Sequence, residues 1–195
     1  LHRYHHNNPE HLEKTLSELP PDEPKLIVTD GVFSMEGDIV KLPQLRKAAD
    51  KYQARVYLDE AHALGVLGAT GRGTEEHHGN SARADLLMGT FSKSFGGIGG
   101  FIAGEAMVID YIKHFSRPLI FTASMPPAMI GAVMATLEII EREPEHTQRL
   151  QAIAAHMIKE FKSLGFDVGV AETPIIPLVI GSNEKTFMFW KALFE

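Results

Sequence analysis

Apolar residues recur along this chain at two spacings, and together they predict a regular order of helices and strands. After Asn8-Pro9, which has the form of a helix start, Leu12, Leu16 and Leu19 share one helical face until Pro20-Pro21 ends the run. Lys25–Asp30 is a short apolar stretch bounded by turn residues, the pattern of a buried parallel strand. Gly31–Val40 reads as a loop at the C-terminal end of that strand. Pro43 opens a second helix, with Leu45, Ala48, Ala49 and Tyr52 at helical spacing, and Arg55–Asp59 is a second strand. Strand, loop, helix and strand at this pitch make a βαβ unit, which predicts a parallel sheet.

The remaining chain extends the pattern. Gly65, Gly68, Gly71 and Gly73 predict a long loop, Leu86–Thr90 a third strand, and Gly100–Gly104 a fourth that is antiparallel or at an edge. A helix is predicted from Glu105 to His114, a strand at Leu119–Thr122, and a long helix from Pro126-Pro127 to Glu141. Glu143-Pro144 restarts a helix to Leu164, and its stripe of Leu150, Ile153, Ala154, Met157, Ile158 and Phe161 is the pattern of core packing. Strands are expected at Val168–Val170 and Ile175–Ile180, and a helix from Asn183 to Phe194.

Composition narrows the function classes. The 195 residues, 44% of them hydrophobic, are enough to bury a core. The absence of cysteine excludes disulfides and thiolate metal sites and fits a reducing, cytoplasmic compartment. A net charge of −6 argues against nucleic acid or an anionic membrane as partner. No apolar run reaches the length of a membrane span. His2, His5 and His6 open the chain with no carboxylate partner evident in the sequence, so they read as a solvated edge and no metal site is expected. The chain begins without Met in what reads as mid-domain sequence, so a piece of a longer protein is expected.

Candidate chemistry gathers at three strand ends: Ser34 after the first, Asp59 and His62 after the second, and Thr90, Ser92 and Lys93 after the third. In open α/β sheets, ligands bind outside the carboxyl ends of the strands. Lys93 lies between hydroxyl residues and before the cluster Gly96-Gly97-Ile98-Gly99-Gly100, where a partly desolvated amine could form a Schiff base. Pyridoxal phosphate chemistry needs such a lysine. It also needs a carboxylate for the pyridine nitrogen, a donor near the ring hydroxyl, and hydroxyl and N–H groups for the phosphate. Two decoys fail. Asp59-Glu60-Ala61-His62 spells a helicase signature, but no phosphate loop ending in Gly-Lys-Ser/Thr precedes it. The glycine clusters lack the spacing of a dinucleotide fingerprint.

Five motifs occur in order: Val28-Thr29-Asp30-Gly31-Val32-Phe33-Ser34-Met35-Glu36-Gly37-Asp38, Leu58-Asp59-Glu60-Ala61-His62, Gly65-Val66-Leu67-Gly68 with Gly71-Arg72-Gly73, Thr90-Phe91-Ser92-Lys93, and Phe121-Thr122-Ala123-Ser124-Met125-Pro126-Pro127. Together they resemble the α-oxoamine synthases, fold-type I pyridoxal phosphate enzymes that condense an amino acid with an acyl-CoA and release CO2. The resemblance implies an α/β fold. Residues 1–145 would be the C-terminal part of the cofactor-binding large domain, with its mostly parallel sheet. Residues 146–195 would be a connector helix and the start of a small C-terminal α+β domain. It implies Lys93 as the Schiff-base lysine, Asp59 at the pyridine nitrogen, His62 at the ring hydroxyl or substrate carboxylate, and Ser34 near the ring oxygen. Thr90 and Ser92 would hold the phosphate, and Thr122 would reach the phosphate of the neighbouring subunit in a homodimer.

Within the family, Met88–Ser94, Ile139–His146 and Gly181–Phe187 resemble members that join L-serine to a long-chain acyl-CoA. Members that use alanine with a pimeloyl thioester, or glycine with acetyl-CoA, are the sister readings. A non-enzymatic partner subunit would be expected to have lost the lysine. Family members are much longer than this chain. The missing portions would supply a ring stacked on the cofactor and an arginine for the substrate carboxylate, so the 195 residues alone are expected to be inactive.

Overall fold

The computed structural model describes residues 1–195. Helix α1 (Pro9–Ser17) starts at Asn8, whose side chain accepts the His11 N–H at 2.8 Å, and buries Leu12 and Leu16. Strand β1 (Leu26–Asp30), helix α2 (Leu42–Lys51) and strand β2 (Arg55–Asp59) form the expected βαβ unit. The short helix α3 (Thr74–His77) precedes strands β3 (Leu86–Thr90) and β4 (Gly100–Gly104). The four strands lie in the order β1-β2-β3-β4, the first three parallel and β4 antiparallel to β3.

One face of this sheet is covered and the other is open. Ile27 and Thr29 of β1 and Val56 and Leu58 of β2 are buried, while Leu26, Val28, Arg55 and Tyr57 alternate to the opposite side. The covered face packs against Leu12, Leu16, Leu42, Leu45, Ala48 and Ala49 of α1 and α2. Each fully buried Leu or Val contributes about 1.5–3 kcal/mol relative to exposure. That covered face holds the sheet; the carboxyl ends of the strands are left for chemistry.

Helices α4 (Ala106–Phe115), α5 (Arg117–Ile120), α6 (Pro127–Arg142), α7 (Glu145–Ser163) and α8 (Asn183–Phe194) complete the chain. Three expected strands are absent here. Leu119–Thr122 is not a strand: Pro118 starts the single helical turn α5, and Leu119, Ile120 and Phe121 are exposed. A short apolar run fits either state, and proline at the first helical turn favours the helix. Val168–Val170 and Ile175–Ile180 are not strands either, because no ladder partner lies beside them. The Val179 N–H goes to the Asp167 carbonyl, and residues 172–173 bond to the loop after β1. Helices α4 and α8 bury no side chain, leaving Met107, Tyr111, Phe115, Trp190 and Phe194 exposed. No helix is long and apolar enough to cross a membrane.

Candidate active site

The strand ends build the site one beside the next. Where β1 ends, Gly31 donates its N–H to the Asp59 carbonyl at 2.7 Å, tying the first loop to the end of β2. Residues 31–40 then form a loop closed by a Val32–Ile39 bridge, with Ser34 in the exposed turn at its tip. Two distant segments hold this loop. Asn7, at φ 45°, donates to Asp38 Oδ2 and the Ile39 carbonyl, each at 2.8 Å, and accepts the Lys41 N–H. His6 Nε2 lies 3.0 Å from Asp38 Oδ1, so this histidine does have a carboxylate partner, one hidden 32 residues away in the sequence. Glu172 accepts the Ile39 N–H, and Thr173 donates to the Gly37 carbonyl.

At the end of β2 the chain turns sharply. Asp59 Oδ1 accepts the Ala61 N–H at 2.9 Å, and the Glu60 N–H reaches the Met88 carbonyl. This sends the two acids to different environments. Asp59 is half-buried at the strand end. Glu60 is only 2% exposed and accepts the Thr74 N–H at the start of α3. Burial pushes the Glu60 carboxyl up to about 7, against the pull of that bond. His62 is held below its ordinary value by burial and then by the charge of Lys93, while Asp30 and Asp59 pull the other way.

Beyond β3, the lysine turn is closed by backbone bonds. Phe91 donates to the Gly99 carbonyl, Gly97 to the Phe91 carbonyl and Gly96 to the Lys93 carbonyl. Gly96 and Gly99 take φ values of 61° and 101°, which side chains disfavour. Thr90 Oγ1 and Ser92 Oγ lie 2.8 Å apart, and Ser92 also donates its N–H to Thr90 Oγ1, making a compact hydroxyl pair. Ser94 Oγ donates to the Leu64 carbonyl at 2.6 Å, binding the lysine turn to the segment that carries His62.

Asp59 and Lys93 therefore both stand within electrostatic reach of His62, with the Thr90–Ser92 pair at the next strand end. Ser34 and Thr122 are exposed and make no side-chain hydrogen bond to this group; Thr122 follows α5. Three residues escaped the sequence reading. Asp30 faces Asp59 and His62, Glu60 anchors α3, and Ser94 joins two loops. Asp30 had a signal, since it ends its strand as Asp59 does; nothing local marks the other two.

The donor set fits pyridoxal 5'-phosphate: a free primary amine at Lys93, a carboxylate at Asp59 with one oxygen unused by the protein, and a hydroxyl pair at a strand end. Fold and site define a class, and the comparison with known families agrees. The model of the aminotransferase class I and II family matches residues 1–195, and the chain belongs to that family. Among its relatives, a serine palmitoyltransferase of Sphingobacterium spiritivorum is 49% identical over 98% of this chain and 48% of its own length. An 8-amino-7-oxononanoate synthase of Thermoanaerobacter pseudethanolicus is 43% identical over 98% of the chain and 49% of its own. The solved serine palmitoyltransferase from S. paucimobilis with bound PLP–myriocin aldimine superposes with a TM-score of 0.91 at 35% identity, covering 98% of this chain and 50% of that one. The chain thus spans about half the length of the relatives it matches. Their names are those of the α-oxoamine synthases that the five motifs resemble.

Proposed function

We propose that the chain is part of a pyridoxal phosphate-dependent C-acyltransferase that condenses L-serine with a long-chain acyl-CoA. The observation that carries this reading is the grouping of Lys93, Asp59 and His62 at adjoining strand ends. The relatives named serine palmitoyltransferase, at 46–49% identity, support the choice of substrates. In the overall reaction a bond forms between serine Cα and the acyl carbon, the thioester bond breaks to release CoA, and the Cα–carboxyl bond breaks to release CO2. The product is a 3-ketoamine, 3-ketodihydrosphingosine for a palmitoyl donor.

Lys93 would hold the cofactor through its amine and, once displaced by the amino acid, take the Cα proton. Asp59 would pair with the pyridine nitrogen and keep it protonated. Bound there, pyridoxal phosphate supplies the electron sink that makes the Cα proton removable. His62 would donate to the ring hydroxyl or the substrate carboxylate, with Ser34 near the same ring oxygen. Thr90 and Ser92 would hold the phosphate. Thr122 would serve the site of a second subunit, and the open apolar faces of α4 and α8 support association with further polypeptide.

A second reading has its own observation: relatives at 42–46% identity are named 8-amino-7-oxononanoate synthase, which favours alanine with a pimeloyl thioester. The deciding experiment titrates the protein, completed to the length of its relatives and loaded with cofactor, with L-serine, L-alanine and glycine. The visible band is expected to shift most tightly with serine, and Lys93→Ala is expected to lose the protein-bound band. Tighter response to alanine would move the function to the sister enzyme. A band that survives Lys93→Ala would overturn the site.

A further inference from the structure

The turn that carries Lys93 and the turn that carries His62 leave the sheet from adjoining strands, β3 and β2. Each is closed mainly on itself. In the lysine turn, Gly96 donates to the Lys93 carbonyl and Gly97 to that of Phe91. In the histidine turn, the Ala63 and Leu64 N–H groups both go to the Glu60 carbonyl, at 2.9 and 3.1 Å, and wrap the chain tightly around His62. One hydrogen bond joins residues 61–73 to residues 91–99, from Ser94 Oγ to the Leu64 carbonyl at 2.6 Å. Its donor adjoins Lys93 in sequence, and its acceptor belongs to the turn that fixes His62. The two backbones also meet there. A Cβ on Gly65, whose φ is +74°, would stand 2.8 Å from Ser94 Cβ, so a side chain at 65 would force the turns apart. Elsewhere the histidine turn is already supported. The Leu64 side chain rests on β3, where a Cβ on Gly89 would meet it at 2.7 Å, and Thr147 of α7 donates to the Gly65 carbonyl at 3.1 Å. Ser94 is exposed, and an exposed hydroxyl can exchange such a bond for water at little cost to folding. What its bond fixes is position.

We propose that Ser94 is a positioning residue of the site: it pins the His62 turn to the lysine turn and so sets the separation of the imidazole from the Lys93 amine. The proposal deepens the enzymatic reading above and rests on it for what these two groups do. In that reading, Lys93 takes the Cα proton while His62 donates to the ring hydroxyl or the substrate carboxylate, so both must address one small molecule at once. The lysine stem is four flexible carbons, and the amine is placed only as well as the backbone beneath it. A misplacement of about 1 Å between such groups can cost about a hundredfold in rate. Sheet pairing fixes where β2 and β3 end; the Ser94 bond carries that registration outward to the residues that act.

The test uses the protein completed to the length of its relatives. Without cofactor, Ser94→Ala is expected to speed hydrogen exchange at the Leu64 and Gly65 amides by about two- to tenfold and to leave the β1 amides unchanged. Loaded with pyridoxal phosphate and given L-serine and palmitoyl-CoA, Ser94→Ala is expected to lose about tenfold in kcat, with KM for serine little moved. In a His62→Asn background the same change is expected to cost less than about twofold, because the group that Ser94 positions is gone. An equal loss in both backgrounds would make the bond structural and overturn the proposal. So would unmoved Leu64 and Gly65 amides, or faster exchange that extends evenly through β1. Failure of the parent to bind pyridoxal phosphate or to turn over serine would strike the enzymatic reading instead. The exchange measurement, which needs no cofactor, would still decide whether Ser94 holds the two turns together.

Discussion

The Glu172 carboxylate accepts the backbone N–H of Ile39 at 2.9 Å across 133 residues of sequence. Glu172 also donates its own N–H to the Gly37 carbonyl, so one residue bonds the Ser34 loop twice. Ile39 is 7% exposed, so no water stands ready to replace a lost acceptor. Helix α7, just upstream, makes a parallel connection: Thr147 donates to the Gly65 carbonyl and Gln151 to the Val66 and Gly68 carbonyls. The C-terminal third of the chain thus sets the shape of both loops that follow β1 and β2.

Glu172→Ala is expected to cost about 1–3 kcal/mol, the penalty for leaving a buried N–H unpaired. Glu172→Gln keeps an oxygen acceptor in the same place and is expected to recover most of that loss. Urea unfolding of the three proteins, with hydrogen exchange at the Ile39 amide, checks both halves. Equal loss in Ala and Gln variants would mean that the charge, not the bond, is what matters.

Gly37 tests the same junction from the other side. Its φ of +71° lies in the left-handed region, and a Cβ there would stand 2.1 Å from the Ile175 carbonyl oxygen. Gly37→Ala must therefore bear a backbone strain of about 1–2 kcal/mol and also push residues 172–175 away from the loop. The expected result is a lower thermal midpoint together with faster proteolysis within 168–180. A fall in stability without new cleavage there would assign the cost to strain alone.

Asp85 is the polar hub beneath the sheet. It accepts from Arg46 Nη1 at 2.7 Å, Arg55 Nη1 at 2.8 Å and the Val56 N–H at 2.7 Å. Burial works to raise its carboxyl, but the Val56 N–H and the two guanidinium groups outweigh it and hold it below its ordinary 3.8. The charged form is thus favoured by folding. Its contribution is present above pH 3.8 and is lost as pH falls through the lower folded value. Asp85→Asn is expected to cost about 1–3 kcal/mol at pH 7, and the difference from the parent is expected to shrink in strong acid. Urea midpoints at the two pH values measure it.

How much of this was legible in the sequence depended on whether the cause was local. The strands at 26–30, 55–59 and 86–90 declared themselves because each is a short apolar run between turn residues, and their ends brought Asp59, His62 and Lys93 to one side. Leu119–Thr122 misled because apolar character alone cannot separate a strand from a proline-started turn. Ile175–Ile180 misled because a strand also needs a neighbour, which no local pattern reports. The same limit hid His6–Asp38 and Glu172–Ile39, contacts that long stretches of chain separate. Asp30 was hidden differently: it read only as the last residue of a strand until the register set it against Asp59.

Glu60 gives the pH-dependent prediction. Its carboxyl lies under Gly73, where a Cβ would stand 2.3 Å from Oε2, and its only protein donor is the Thr74 N–H. With no cation beside it, burial favours the neutral acid and the folded value rises from 4.5 to about 7. Between those two values the folded chain holds more protons than the unfolded chain. Stability contributed by this group therefore falls as pH rises through the window, by an amount on the order of 3 kcal/mol at its upper end. Glu60→Gln cannot ionise, yet it still offers an oxygen to Thr74. Its stability relative to the parent is expected to grow from pH 5 to pH 7 and then level off. Urea unfolding of the two proteins at pH 5, 6, 7 and 8 measures the difference. Two parallel stability curves would show that the carboxylate stays charged and that a donor other than Thr74 reaches it in solution.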